Sequence, residues 1–553
     1  MDTPTPPEIE YEIYQIGVAY LVKDILDRLG IVEAIDSVME HQPEIGSTYG
    51  TLAQVVIINR LSFEPQPMYA LREWTEEHGI DKFLGIEAVW LDDDRLGALM
   101  EALAKHAAEI WQKVIERAVA QFSVELEYLH ADTTSVYFEG AYEDEQGQPI
   151  QEAYAPRLVP GYNKDGKPQN VQYVLSLITS QHVPLQYQAW DGNQSDDGVY
   201  LADLNNLRKS GLDLSNAVLI FDRKGCNRAT MLDLCKSGQF FLGAHPWTER
   251  AKEKWEQTWQ EIQSGERNWV EVDYVARNDQ RKPAEARPCY RACEVASEIM
   301  DETTGKVYPL RWIFSWNSSK ADLDARQRRK ELEAGEQALR KIARLLGKYD
   351  YTSRANIANR VENLLKKSGA KPYFAYELTG SDEKQDWQLT WTCNLKAIDQ
   401  DARFDGIVLL CTNVPVERLT AGEVIKKYKE QVSVEQTFDF IKSPIQIRPL
   451  WLHSPRRLAG LTFLIMLAVL IAALIEYYVR QHIAKNKKPL NGLMPENRDN
   501  PYPTAEKLLK AFQDYSLVVT RFSNDPYQVH YPKPRPIQRQ ILEILATLPP
   551  NPT

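Results

Sequence analysis

The sequence predicts an α/β protein. A mixed sheet with flanking helices follows a helical N-terminal domain and is interrupted by a β-rich insertion domain. Three observations carry this prediction. Up to about residue 125, apolar residues recur at spacings of three and four, the period of a helix with one buried face. Between 126 and 244, short runs rich in β-branched and aromatic residues alternate with helical patterns. From 245 to 400, strand-like runs return on either side of a long charged helical stretch.

Each segment has its own justification. In 1–125, YLVKDILDRLGIVEAID and TLAQVVIINRLSF carry apolar residues on one helical face, and DDRLGALMEALAKHAAEIWQKVIERAVAQF is a long amphipathic stretch. In 126–244 the strands are Leu126–Phe138, QNVQYVLSLIT, HVPLQYQAW and AVLIFD, with a helix near DGVYLADLNNLRKSG and another over Arg228 to Lys236. Three meandering strands, a helix and a further strand follow the order of a ribonuclease H-like core. In 245–400, NWVEVDYVA, YPLRWIFSW and DWQLTWTC read as strands, around SKADLDARQRRKELEAGEQALRKIARLLGKY and ANIANRVENLLKKSG as helices. Tryptophans are dense there, and core packing accounts for most of them. In 401–485, FDGIVLLCTN reads as the last core strand and leads into a helix through KKYKEQVSVEQTFDFIK. In the extension 486–553, YPKPRPIQRQ reads as an extended, proline-rich arm.

Composition narrows the class. A chain of 553 residues can hold several domains, and 43% hydrophobic with 26% charged residues is ordinary for a globular protein. The six cysteines show no paired zinc spacing; Cys289 and Cys293 form one CxxxC with no matching second pair. The polar, acidic start MDTPTPPEIEYE has no apolar secretory core, so a reducing cytoplasm is the expected compartment. The run Leu458–Ile475 has the length of a membrane span, but a single such run following a polar helix fits a buried core helix better. Net charge is −12, yet residues 421–553 carry a local surplus of about +7. Affinity for a polyanion depends on local basic patches that release counterions, so the sum over the chain does not exclude it.

Three acidic residues stand out. Asp132 shares one side of its strand with Tyr128 and His130, and a carboxylate inside such a run needs a partner. Asp222 ends the apolar run Ala217–Phe221, the place beyond a strand where ligands gather in open α/β sheets. Alone, Asp132 also suits a structural hydrogen bond, and Asp222 an Asx turn or helix cap. Glu435 is the third, with Tyr428, Gln431 and Lys442 at helical offsets that put all four on one face. Asp439, one turn further, is the rival third carboxylate, and His130 suits packing beside Asp132.

This pattern resembles the DDE transposases of bacterial insertion sequences, in the group with the signature Y-x2-R-x3-E-x6-K. The chain reads Y-x2-Q-x3-E-x6-K, with Gln431 in the arginine position. LDDDRLGALMEAL, YNKDGKPQNVQYVLSLI, the DGNQSDDG turn, FDGIVLLCTN and RPLWLHSPRRLAGLTFLIMLAVLI also look like the family, over about Tyr11 to Tyr478. Two positions depart from the pattern. The D-R-G turn reads Asp222-Arg223-Lys224-Gly225, with an extra base, and Gln431 lacks the charge and bidentate fork of arginine.

The resemblance implies metal-dependent cleavage at transposon ends followed by strand transfer into target DNA. Its catalytic and metal-binding residues would be Asp132, Asp222 and Glu435, holding two Mg2+ ions, with Mn2+ as a substitute. Tyr428, Gln431, Lys442, Arg223, Lys224, Lys426, Lys427, Lys429, Arg456 and Arg457 would face DNA. The implied partners are double-stranded terminal inverted repeats, target DNA and a second copy of the chain, with no membrane. The N-terminal helices suit recognition of the ends and suit a generic helical bundle at least as well, and the protein would be cytoplasmic, nucleoid-associated when bound to DNA.

Overall fold

A computed structural model of the protein describes residues 9–39, 46–140, 142–163, 166–167, 169–195, 198–442, 452, 454–522 and 527–546. The chain starts with strand β1 (Ile9–Tyr14) and helices α1 (Ala19–Leu29), α2 (Ile31–Asp36), α3 (Tyr49–Leu61), α4 (Leu71–Glu77), α5 (Ile80–Leu84) and α6 (Asp93–Phe122). Strands β2 (Tyr128–Phe138), β3 (Val159–Pro160), β4 (Val171–Ser180) and β5 (Val183–Trp190) follow, then α7 (Val199–Arg208), β6 (Val218–Phe221) and α8 (Arg228–Lys236).

The middle of the chain holds β7 (Phe240–Ala244), α9 (Glu249–Ser264), β8 (Val270–Val272), β9 (Tyr290–Met300), β10 (Val307–Asn317), α10 (Ser318–Leu345) and α11 (Arg354–Lys367). It continues through β11 (Phe374–Thr379), β12 (Gln388–Cys393), α12 (Leu395–Ala402), β13 (Ile407–Thr412) and α13 (Ala421–Lys429). The remainder is α14 (Val432–Lys442), α15 (Pro455–Asn486), α16 (Ala505–Lys510), β14 (Leu517–Phe522), β15 (Gln528–His530) and α17 (Pro536–Leu545).

Two compact units divide these elements. The first runs to Gly225, takes in Ala229–Phe240, and resumes at Glu430; the second is Cys226–Arg228 with Phe241–Lys429. In the first unit β4 lies between β2 and β5, antiparallel to both, and β6 joins the other side of β2 in parallel. A meander followed by a parallel strand reached through a helix is the ribonuclease H-like arrangement.

The core of this unit is α15. Its most apolar 18-residue window is long and apolar enough to cross a membrane, but 94% of that window is buried inside the protein. It packs against α3, α6, α16, α17 and β5. The Tyr173 and Thr462 hydroxyls meet at 3.0 Å, which ties α15 to β4. The helix α6 starts at an Asp92 cap, whose carboxylate accepts the Arg95 N–H at 2.9 Å, and lies against the same sheet through Trp111, which donates to the Leu185 carbonyl at 3.0 Å. Because α15 is covered by protein, the full-length chain should be extracted from membranes by carbonate. Carbonate-resistant retention would show that the apolar run inserts.

Gly460 lets α15 approach α6 this closely. A Cβ there would run into the Met100 carbonyl, a backbone atom that cannot swing aside. Gly460→Ala should therefore lower unfolding stability by about 2–3 kcal/mol through overpacking, measurable by denaturant melts. A neutral substitution would mean that the two helices can slide apart.

Several local expectations change. The N-terminal region is not purely helical, since β1 pairs antiparallel with β14, Ile9 opposite Phe522 and Tyr14 opposite Leu517. The arm after Tyr531 becomes α17 from Pro536. Proline is tolerated in the first helical turn, and Ile537, Ile541 and Leu545 supply a buried stripe. The strand 407–412 pairs with β7 and β10 inside the second unit, which extends to Lys429.

In that second unit, β7, β13, β10, β9 and β8 form consecutive antiparallel pairs. Trp255 is fully buried and donates to the Arg403 carbonyl at 3.1 Å, with Trp259, Trp269 and Phe314 around it. A smaller core joins α10 and α11 to the β11–β12 hairpin through Leu339, Ile342, Val361, Leu365 and Trp387. Burial pushes the Cys293 thiol up to about 11, so it is chemically quiet.

Candidate active site

Strand pairing sets the site. Ala131 lies opposite Phe221 in the parallel β2–β6 pair, so the next residues in register are Asp132 and Asp222. β6 stops at Phe221 while β2 continues six residues past Asp132, supported by β4 on its other edge. The second carboxylate therefore stands at a strand end, beside a first carboxylate in mid-strand. Both are half-buried.

The two carboxylates are held differently. Asp132 Oδ1 accepts the backbone N–H of Thr133 at 2.7 Å. Asp222 Oδ1 accepts the Tyr200 hydroxyl at 3.2 Å and the backbone N–H groups of Lys224 at 3.1 Å and Gly225 at 3.3 Å. This is the Asx turn that sequence left open for Asp222, and it leaves Oδ2 to point elsewhere. Tyr200 comes from α7, where its ring also stacks on Phe221 at 5.8 Å. Tyr200 was not singled out in the sequence; it is the sole tyrosine of an otherwise aliphatic and polar helix, which is a weak signal.

Glu435 lies in the first turn of α14 and is exposed. This helix packs on β2, β4 and α15, and Thr437 reaches the His182 carbonyl at 3.4 Å. The expected single helix is in fact two. α13 ends at Lys429, Glu430 and Gln431 form a turn, and α14 starts at Val432. Tyr428 thus belongs to a different helix from Glu435 and Lys442, and the predicted four-residue stripe is broken at Gln431. No glycine or proline marks the break, so helical periodicity alone could not reveal it. The Gln431 side chain is buried in the turn. Asp439 is exposed on α14.

The predicted basic residues fall in several places. Arg223 and Lys224 are exposed in the turn after β6. Lys426, Lys427 and Lys429 occupy the last turn of α13, where burial pushes the Lys429 ammonium down from its usual range. Arg456 and Arg457 sit at the start of α15 and are engaged within the protein. Arg457 pairs with the Glu101 carboxylate at 2.7 Å, and Arg456 Nε donates to the Glu101 carbonyl at 3.1 Å. His130 is buried on β2, as a packing residue would be.

Asp132, Asp222 and Glu435 are hard oxygen donors, the ligand type that divalent Mg2+ or Mn2+ selects. Among the described residues, however, no three His, Cys, Asp or Glu side chains stand close enough to hold an ion together. The donor chemistry fits, the aspartate pair is set by strand register, and Glu435 does not complete it in this conformation.

Adjacent carboxylates at the end of a parallel strand, with an acidic helix over the same sheet, define a ribonuclease H-like protein with a candidate acidic active site. Comparison with known proteins takes this further. The family model described as "Transposase DDE domain" matches residues 131–471, and one for a domain of unknown function, DUF4277, matches 11–116. The chain belongs to the DDE transposase family, whose members use divalent metal ions. No curated protein matches. One solved structure, "Crystal structure of a pre-cleavage Mos1 transpososome", is similar with 14% identity and a TM-score of 0.14. That likeness covers 37% of this chain and 60% of the other.

Proposed function

We propose that the protein is a transposase that nicks DNA at the ends of a mobile element and joins the freed 3′-hydroxyl to target DNA. The observation that carries this reading is the register that puts Asp132 beside Asp222, in a chain of the DDE family, with Glu435 on a helix packed on β2 and β4. Asp132, Asp222 and Glu435 would hold two Mg2+ ions, and Mn2+ would substitute. Bound divalent ions supply an activated water and neutralise charge on the leaving oxygen. The protein's own groups supply position. Tyr200 and the Lys224 and Gly225 N–H groups fix the orientation of Asp222, and Lys442 would hold a phosphate near Glu435.

The DNA partners would be terminal inverted repeats and a target duplex, engaged by a homodimer. Arg223, Lys224, Lys426, Lys427 and Lys429 are the contacts this reading favours. Arg456 and Arg457 rank below them because both already serve Glu101. Replacing Lys426, Lys427 and Lys429 together by alanine should weaken binding to any duplex and flatten its salt dependence, by about one unit of slope per lost contact. An unchanged slope would remove α13 from the DNA path.

The direct test is a nicking assay on duplexes carrying the element's own terminal repeats, with and without Mg2+. Metal-dependent nicking followed by strand transfer is the expected result. Nicking without transfer would leave a nuclease on the same core, and binding without nicking would leave a DNA-binding protein.

A further inference from the structure

Thr133, the neighbour of Asp132, and Lys224, two residues after Asp222, line a cleft of about 500 Å3, within the range of about 300–1,000 Å3 that small ligands fill. It opens where β6 has ended and β2 continues. Thr133 and Ser135 of β2 line it, with Tyr162 from one loop, Asn193 and Gln194 from another, and Lys224 from the turn after Asp222. Among the described lining residues there is one cation and no carboxylate. The Lys224 ammonium gives this lining a group that can pair with an anion.

The walls of the cleft are built, not incidental. Gln172 is fully buried, and its Nε2 donates to the Tyr162 carbonyl at 3.1 Å and the Gly192 carbonyl at 2.8 Å, while its Oε1 accepts from Asn163 at 2.9 Å. One amide thereby clamps both loops. A Cβ on Gly161 would strike the Gly192 carbonyl, and one on Gly192 would strike the carbonyls of Val159 and Gln172, so glycine at both positions permits the contact. Asp191 accepts from Arg157 at its backbone N–H and at Nε, at 2.8 and 2.7 Å, which secures the second loop further.

The cleft presents two recognition elements together. The Tyr162 ring is 78% exposed, and the Lys224 ammonium lies 4.9 Å from its centroid. An exposed aromatic ring with a cation over one of its faces, in a cleft also lined by hydroxyl and amide side chains, offers a stacking surface and a phosphate partner to one nucleotide. The Lys224 N–H is also bonded to Asp222, which ties this wall of the cleft to the second carboxylate.

We infer that this cleft is a nucleotide subsite for the strand immediately flanking the scissile phosphodiester, with the base on Tyr162 and the phosphate on Lys224. This rests on the transposase reading above. Tyr162 and Lys224 are then positioning residues, which fix the register of the DNA against the aspartate pair.

The test uses the full chain and duplexes carrying the terminal repeat with its natural flank. 5-Iododeoxyuridine is placed in turn at the first three flanking positions, and Ca2+ replaces Mg2+ during irradiation. One position should crosslink to the peptide containing Tyr162; crosslinks confined to other peptides would overturn the assignment. In Mg2+, Tyr162→Ala should lower kcat/KM about tenfold on the intact flank. It should have little effect when that flanking nucleotide is abasic, and Tyr162→Trp should restore the rate. An equal loss on intact and abasic substrates would mean that Tyr162 only supports the loop, and would also overturn the subsite. Lys224→Ala should reduce the salt slope of binding by about one unit. A wild-type protein that fails to nick defeats the transposase reading, while the crosslink still reports the cleft. Normal nicking without the Tyr162 crosslink defeats the cleft alone.

Discussion

Glu435→Gln should abolish metal-dependent nicking, by on the order of a thousandfold or more, while leaving duplex binding within about twofold of the wild type. The substitution removes a ligand charge and changes little else. Glu435 is exposed on the first turn of α14, so no core contact is lost with it. Asp132→Asn should behave in the same way, and the double variant should be hardly worse than either single one, because ligands of one site act as a unit. Asp439→Asn is the control. It lies one turn further along the same exposed helix, and full activity there keeps Glu435 as the third ligand. If Asp439→Asn abolishes nicking and Glu435→Gln does not, the third ligand must be reassigned. A parallel loss of binding and nicking in Glu435→Gln would show that the helix has a structural role only. Gel shift in Ca2+ and nicking in Mg2+, measured on the same duplex, separate these results.

The second large effect concerns a carboxyl away from this pair. Asp203 on α7 is completely buried against β4 and β5, and no hydrogen bond of good geometry reaches its oxygens. Burial pushes its carboxyl up to about 7, with Ser176 beside it pulling weakly the other way. An acid whose pKa is raised in the folded state binds its proton more tightly when folded. Folding therefore gains no advantage from its charge. The penalty is absent below the ordinary aspartate value of 3.8, grows with rising pH, and is complete above about 7. Between pH 5 and pH 8 this one group should cost on the order of 3 kcal/mol of stability. Asp203→Asn keeps the shape and removes the titration. Its advantage over the wild type in urea melts should be larger by about that amount at pH 8 than at pH 5. Parallel curves for the two proteins across this range would show that Asp203 is solvated or paired in solution.

Much of the frame was legible because the signals were local. The apolar run Ala217–Phe221 specifies a strand covered on both faces, and the structure ends it at Phe221 with Asp222 just beyond. α8 occupies the predicted residues, and the apolar run after Arg457 is a buried helix, because burial on all sides writes itself as composition. The features that escaped depend on distant partners. β9 reads as YRACEVASEIM, with charges scattered through it, and is a strand because β8 and β10 pair with it on either side. Asp203 looks like the solvent face of a helix until the sheet beneath it is known. The Gln172 clamp sits in an apolar run, where a lone amide was the only trace. The break at Glu430–Gln431 had no trace at all.

The pairing of β1 with β14 also has a consequence for how the chain is made. About 500 residues separate the two strands. At roughly 5–20 residues per second, β1 leaves the ribosome some 25–100 s before its partner exists. During that interval Tyr11 and Ile13, exposed even in the finished protein, are carried on an edge with nothing to pair to. The pairings among β8 to β13 of the inserted unit lie between residues 270 and 412, so these strands can pair first. Between the synthesis of residue 412 and that of residue 522 the nascent chain thus carries a paired middle with β1 still open. Slow release should then favour aggregation through β1, and a chaperone that shields short hydrophobic strands should raise the yield of active protein more than lowering the temperature does.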